Sequence, residues 1–143
     1  YAPAQMKLVE LYQVGASGVP QDEVVSRAWA RRAAEGGDPR GMHAYAMYLF
    51  DGVGGPANKT ESLTWLERAG AAGLVDSQYN AARIHEQGDD GIAADPVQAL
   101  KWYTVAARSG DAQAQAAVQR LSPTLSAENR RRAMTAAEAI DQG

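Results

Sequence analysis

Cysteine is absent from this 143-residue chain. That excludes a disulfide framework, a thiolate metal site and a cysteine nucleophile, and leaves the compartment open. No apolar run approaches the ~18 residues of a transmembrane helix. Tyr1-Ala2-Pro3 leads straight into a helical pattern, without the apolar stretch of a signal peptide. Neither sign of charge dominates: charged residues make up 22%, the formal net charge is -3 and the pI is near 5.3. Nucleic acid and anionic membranes call for a concentrated basic face, which this composition lacks. The one basic run, Arg130 to Arg132, spreads around a helix because successive residues point in different directions, so it is expected to be solvated.

What is present is a repeat. Hydrophobic residues reach 45%, enough for a folded core in one domain of this length. Trp29, Trp65 and Trp102 stand 36 and 37 residues apart. Four residues after each tryptophan comes a small pair: Ala33-Ala34, Ala69-Gly70, Ala106-Ala107. Eight residues after each comes a glycine (Gly37, Gly73, Gly110), and seven residues before each stands a helix-capping type (Asp22, Asn58, Asp95). Upstream, Ala4-Leu8-Tyr12, Gly41-Tyr45-Leu49 and Ser77-Ala81-His85 form stripes of one helical face. Each stripe ends in a glycine-bounded turn: Gly15 to Gly18, Gly52 to Gly54, Gly88 to Gly91.

Each unit therefore reads as helix, glycine-rich turn, second helix, glycine stop. Asp22, Asn58 and Asp95 are placed to accept bonds from the orphan N–H groups that open the second helix. Asp95-Pro96 puts proline at the first helical position, and Asn58 with Glu61 approximates a capping box. Gly37, Gly73 and Gly110 suit a left-handed residue just past a helix end. The small pairs let neighbouring helices approach, and the tryptophans are expected to fill the wider gap.

These residues resemble the Sel-one-like repeat (SLR), a relative of the tetratricopeptide repeat, over about residues 4–121. The first unit carries the pattern in Ala4, Leu8, Tyr12, Gly15, Gly18-Val19, Asp22, Trp29, Ala33-Ala34 and Gly37; the third carries it in Gly91-Ile92, Asp95, Ala99, Trp102, Ala106-Ala107 and Gly110. Departures are local: Val9, Ala46 and Ala82 replace a helix glycine, His85 replaces a tyrosine and Gly55 a turn valine. The resemblance implies an all-α fold, a right-handed α/α solenoid of three helix–turn–helix units (about 4–40, 41–76 and 77–113). Ala114 to Leu121 starts a fourth first helix, and 122–143 holds a capping helix from about Ala127 to Ile140, capped by Ser126, with Met134, Ala137 and Ile140 on one face. The chain begins inside a repeat's first helix, so further repeats are expected upstream.

No catalytic motif occurs, and the two histidines, His43 and His85, occupy different repeat positions, which favours packing or surface roles over a metal pair. Asp89-Asp90-Gly91 lacks the alternating ligands and distal glutamate of a calcium loop and reads as an acidic turn. No enzyme activity, cofactor or metal is assigned.

The expected function is binding of a protein or peptide on the concave face, which the first helices line in related solenoids. Positions outside the stripe read Gln5, Met42, Gln78; then Glu10, Met47, Arg83; then Gln13, Phe50, Glu86. The middle repeat is apolar where its neighbours are polar. Broader burial of that helix is one reading. The other is an apolar anchor of Met42, Met47 and Phe50 with polar contacts from Gln78, Arg83 and Glu86. A binder of cell-wall glycan or peptide fragments and an immunity-type inhibitor of a toxin are the alternatives. The resemblance, with alanine and arginine richness, favours a bacterial periplasm or cell envelope, with the cytoplasm open.

Overall fold

A computed structural model of the chain describes residues 22–142. The regular elements are helices: α1 (Glu23–Glu35), α2 (Pro39–Asp51), α3 (Lys59–Ala71), α4 (Val75–Gln87), α5 (Pro96–Arg108), α6 (Ala112–Leu121), a 3-10 turn (Ser122–Thr124) and α7 (Ala127–Gln142). The all-α class expected from the repeat is thus observed. Ala4, Leu8, Tyr12 and the turn from Gly15 to Gly18 lie outside the described residues. Two compact units divide the chain, one ending at Ala69 and the other beginning at Gly70, so the boundary falls inside α3.

Local chemistry explains where the helices start and stop. Asp22 Oδ1 accepts from the amides of Val24 and Val25 at 3.0 and 3.2 Å, and Asp95 Oδ1 accepts from Val97 and Gln98 at 3.1 and 3.2 Å. Asp38 and Asp111 do the same for α2 and α6, at positions the repeat pattern does not mark. Asn58 Oδ1 accepts from the Glu61 amide at 3.0 Å, but the capping box stays half-formed. The Asn58 amide donates instead to the Leu49 carbonyl at 2.7 Å, and Glu61 Oε2 accepts from Trp65 Nε1 at 3.2 Å. Asp95 makes the matching backbone bond to His85, also at 2.7 Å. Leu49 and His85 each end a first-helix stripe, so the cap of the second helix is tied back to the first helix in both units. Between them, Asp89 and Ile92 exchange backbone bonds of 2.9 and 2.8 Å around Asp90-Gly91, the tight acidic turn expected there.

The glycine stops behave as expected. Gly37, Gly73 and Gly110 have φ of 91°, 101° and 99°, and each amide donates at 3.0 Å to the carbonyl of the second small residue, Ala34, Gly70 or Ala107.

Small residues set the helix contacts within each unit. In the first, α1 packs on α2, and a Cβ added at Gly41 would stand 2.5 Å from Ala33 Cβ and 2.8 Å from the Ala34 nitrogen. In the second, a Cβ at Gly70 would stand 2.9 Å from Trp102 Cζ3 and 3.1 Å from Gln78 Cγ. At Gly41 the obstacle is the backbone and Cβ of the facing helix and at Gly70 it is the Trp102 ring, and in each case the nearest approach is closer than real Cβ atoms show.

The three tryptophans are not equivalent. Trp102 is 2% exposed in α5, which packs against α4, α6 and α7 and buries Leu100, Tyr103 and Val105 as well. Trp29 and Trp65 are half-buried, with the guanidinium groups of Arg32 and Arg68 over their rings at 4.9 and 4.5 Å. An arginine three residues on shields each ring from solvent, whereas the third unit has Val105 at that offset.

The final helix forms as expected, with Ser126 Oγ accepting from the Asn129 amide at 3.1 Å and Ala133 and Ala137 buried. Arg130 departs from the solvated reading. It is half-buried and donates to the carbonyls of Ser122 and Leu125, satisfying backbone groups of the turn that precedes α7, while Arg131 and Arg132 are exposed.

Two glycines should fail for different reasons. Gly41→Ala overpacks a closed contact and should destabilise the fold by about 1–3 kcal/mol. Gly37→Ala meets open space but a left-handed backbone, and should cost about 1–2 kcal/mol. Denaturant titration of the asparagine variants separates the two: Gly37→Asn should recover most of the loss, and Gly41→Asn should recover none.

Candidate interaction surface

Helix α2 carries the apolar triplet that sets the middle repeat apart. Asp38 caps it, Pro39 occupies its first position, and Gly52 ends it in the left-handed region with φ 72°. Its stripe of Gly41, Tyr45 and Leu49 is buried as expected, and so are Ala46 and Met42. Met42 is therefore not a surface anchor: at 7% exposure it belongs to the core. The reason is geometric. Met42, Tyr45, Ala46 and Leu49 follow i, i+3, i+4, i+7 spacing, so α2 buries two adjacent rows instead of one.

Met47 and Phe50 lie on the less covered side and are half-buried. The Lys59 ammonium sits 5.0 Å from the centre of the Phe50 ring. Met47 lines a depression of about 450 Å³. One turn before it stand His43 and Ala44, and one turn after it stands Asp51. Val53 and Glu23 complete the rim, which places two exposed carboxylates beside an apolar floor. Tyr48 also lines it, although its phenol is largely covered. Burial pushes that phenol above its ordinary pKa; the nearby Ser26 hydroxyl lowers it and the Glu23 charge raises it. Tyr48 Oη and Ser26 Oγ are neighbours, yet both are buried without a bond of good geometry.

The polar half of the expected site lies in the unit that begins at Gly70. Gln78 is 2% exposed: its Nε2 donates to the Gly70 carbonyl at 2.9 Å, and its Oε1 is buried without a partner. It holds α4 against the end of α3 and is not a surface contact. Arg83 is exposed. Glu86 is already engaged, since one oxygen accepts from Tyr103 Oη at 2.7 Å and from Arg120 Nη2 at 3.0 Å, and the other accepts from Arg120 Nη1. Three helices, α4, α5 and α6, meet at this carboxylate. Arg120 went unnoticed in the sequence because it is 34 residues away, but it sits one repeat on from Arg83, and that register was readable. The Arg120 guanidinium holds the Glu86 carboxyl below its ordinary range against the opposing effect of burial, and burial with the Glu86 bond raises the Tyr103 phenol.

His43 is half-buried and His85 is buried. Among the described residues no group of three or more His, Asp and Glu side chains could hold a metal ion, and no helix is long and apolar enough to cross a membrane.

Known proteins match this arrangement. The Sel1 repeat matches residues 2–38, 39–74 and 75–111. Chitin synthase regulatory factor 3 of Schizosaccharomyces pombe is 38% identical over 113 residues, covering 77% of this chain and 12% of that protein. Chitin synthase regulator SKT5 of Malassezia restricta is 33% identical over 95 residues, covering 64% of this chain and 7% of that protein. The chain thus spans 12% or less of these curated relatives. Among solved structures, a protective antigen of uropathogenic Escherichia coli strains displaying an SLR fold superposes with a TM-score of 0.78 at 30% identity, covering 99% of this chain and 30% of that one. A Sel1 repeat protein from Oxalobacter formigenes gives 0.74 at 36% identity, covering 83% and 88%. The SLR fold expected from the resemblance is the fold these chains share.

The Glu86 cluster makes a pH-dependent contribution with a definite sign. A carboxyl whose folded pKa is lowered stabilises the fold above the unfolded value of about 4.3, and the effect is lost as pH falls through the folded value. Glu86→Gln should therefore lower the denaturation midpoint at neutral pH, and the gap to the unmodified protein should close in acid.

Proposed function

This chain belongs to the Sel1-repeat family, and we propose that it is a non-catalytic adaptor that holds a segment of another protein against α2. The observation that carries this reading is the depression at Met47. It has an apolar floor and a rim of two exposed carboxylates, on a helix whose repeat equivalents carry Arg83 and Glu86 instead of Met47 and Phe50. A flexible thioether beside an aromatic ring adapts to an inserted apolar side chain. Glu23 and Asp51 suit a basic residue flanking that side chain. Arg83, exposed on α4, offers a separate polar contact. Met42 and Gln78 drop out of the binding set because both are covered.

The curated relatives are named as regulators of chitin synthases. Regulation of one protein by another runs through contact between them, which supports an adaptor reading for the shared repeats. A bacterial periplasmic or envelope location gains no support from these relatives, which are fungal. No feature of the depression favours a glycan or a toxin over a protein segment.

Pull-down from the source organism tests the reading. A stoichiometric protein partner is expected, and Met47→Asp should weaken its capture at least tenfold while helical circular dichroism and the melting transition stay unchanged. Unfolding of the variant would return Met47 to the core. Retention on purified peptidoglycan, with no protein partner, would replace the adaptor by a cell-wall binder.

A further inference from the structure

A second surface lies on α1, and it meets the Met47 depression at the helix start and at Val53, whose carbonyl accepts from Arg27. Val24, Arg27, Arg31, Arg32 and Glu35 line another depression of about 450 Å³, closed on one side by Tyr45 of α2. They follow i, i+3, i+7, i+8, i+11 spacing, a single face of the helix.

The repeat register shows this face covered in the third repeat, while the middle repeat carries Leu63, Glu67 and an exposed Arg68 there. The positions of Arg27, Arg31 and Arg32 in α1 correspond to Leu100, Thr104 and Val105 in α5. Those three are buried, in a helix packed on three others. On α1 the same positions carry arginines, two of them exposed, and the face stays open. Val24, at 64%, is the exposed large hydrophobe among the described residues.

The charges on this face do not cancel. Arg31 pairs with Glu35 at 3.3 Å. Arg27 is held by neutral acceptors, donating to the carbonyls of Val53 at 3.3 Å and Pro56 at 2.9 Å. Arg32 is held by the Trp29 ring. Carbonyls and a ring face orient a guanidinium without neutralising it. Three cations therefore line the depression against one lining carboxylate, with the Glu61 charge felt at its Tyr45 wall, in a chain whose net charge is -3.

We propose that this face binds an acidic segment of a partner protein, its carboxylates on Arg31 and Arg32 and an apolar neighbour against Val24. Guanidinium groups take carboxylates in two-point contact, and here they are already positioned by Glu35 and Trp29. A protein segment fits better than nucleic acid, because the cationic patch covers one helix face, includes a carboxylate and an exposed valine, and sits on an acidic chain. A duplex needs cations along a tract of phosphates. This goes beyond the adaptor reading, since it concerns a different face and a partner of opposite charge.

The test titrates the labelled chain with the peptide Ac-Glu-Glu-Leu-Glu-NH2, followed by NMR of backbone amides and arginine side-chain Nε–H groups. Saturable shifts should appear at Val24, Arg31, Arg32 and Tyr45 and weaken with added salt. The peptide Ac-Gln-Gln-Leu-Gln-NH2 should produce none of them. The double variant Arg31→Gln/Arg32→Gln should lose affinity at least tenfold with unchanged helical circular dichroism, while Met47→Asp should bind the acidic peptide as before. Absence of shifts, equal shifts with the glutamine peptide, or full affinity in the arginine double variant would overturn the proposal. Displacement of the peptide by a 12-base-pair DNA duplex at lower concentration would reassign the face to nucleic acid.

Discussion

Helical repeats of this length cannot bury their apolar faces alone, so everything rests on how closely one helix can lie on the next. Gly41 lies against the backbone of Ala33-Ala34 and Gly70 against the Trp102 ring and the Gln78 side chain, and neither leaves room for a methyl group. The glycine sits on different sides of the two contacts. In one it is the opening turn of the first helix that is stripped to glycine, facing Ala33-Ala34; in the other it is the small pair itself, facing Gln78 and Trp102. What matters is the summed volume at the crossing, and either partner can supply the missing side chain.

Once the helices are that close, several polar groups near the crossings turn to backbone carbonyls inside the fold, while Gln78 Oε1 stays buried without a partner. Gln78 spends its amide on the Gly70 carbonyl, Ser62 donates to the Ala46 carbonyl at 2.7 Å, and Arg27 reaches the carbonyls of the α2–α3 turn. Gly55, a departure from the repeat pattern, leaves space for that guanidinium: a Cβ there would lie 3.0 Å from Arg27 Cζ. The irregular residues of the first unit thus answer one another. Arginine enters at a position where the other repeats carry Leu63 and Leu100, and the turn beside it loses a side chain. The same exchange leaves α1 with an open, cationic face where α5 has a closed, apolar one.

Helix ends and repeat phase were legible because their chemistry is local. Asp22, Asn58 and Asp95 cap within three residues of themselves, and Gly37, Gly73 and Gly110 turn the chain where they stand. The candidate surface was legible only in part. Comparison of repeats singles out α2 as the helix with unusual apolar residues, but it does not divide Met42 from Met47. That division depends on how wide an arc the packing covers. Gln78 and Glu86 looked like rim residues because nothing adjacent in the chain reveals Gly70 above one or Arg120 beside the other.

By itself, then, the sequence determined the period, the helix boundaries, the caps and the family, all carried by interactions that span a few residues or recur at one fixed interval. Only the tertiary structure decided which side chains those helices cover. It buried Met42 and Gln78, half-exposed Met47 and Phe50, and tied Glu86 to an arginine 34 residues away. It also left the arginines of α1 around an open depression. Burial and charge pairing are set by neighbours distant along the chain, and the spacing of residues within one helix carries no record of them.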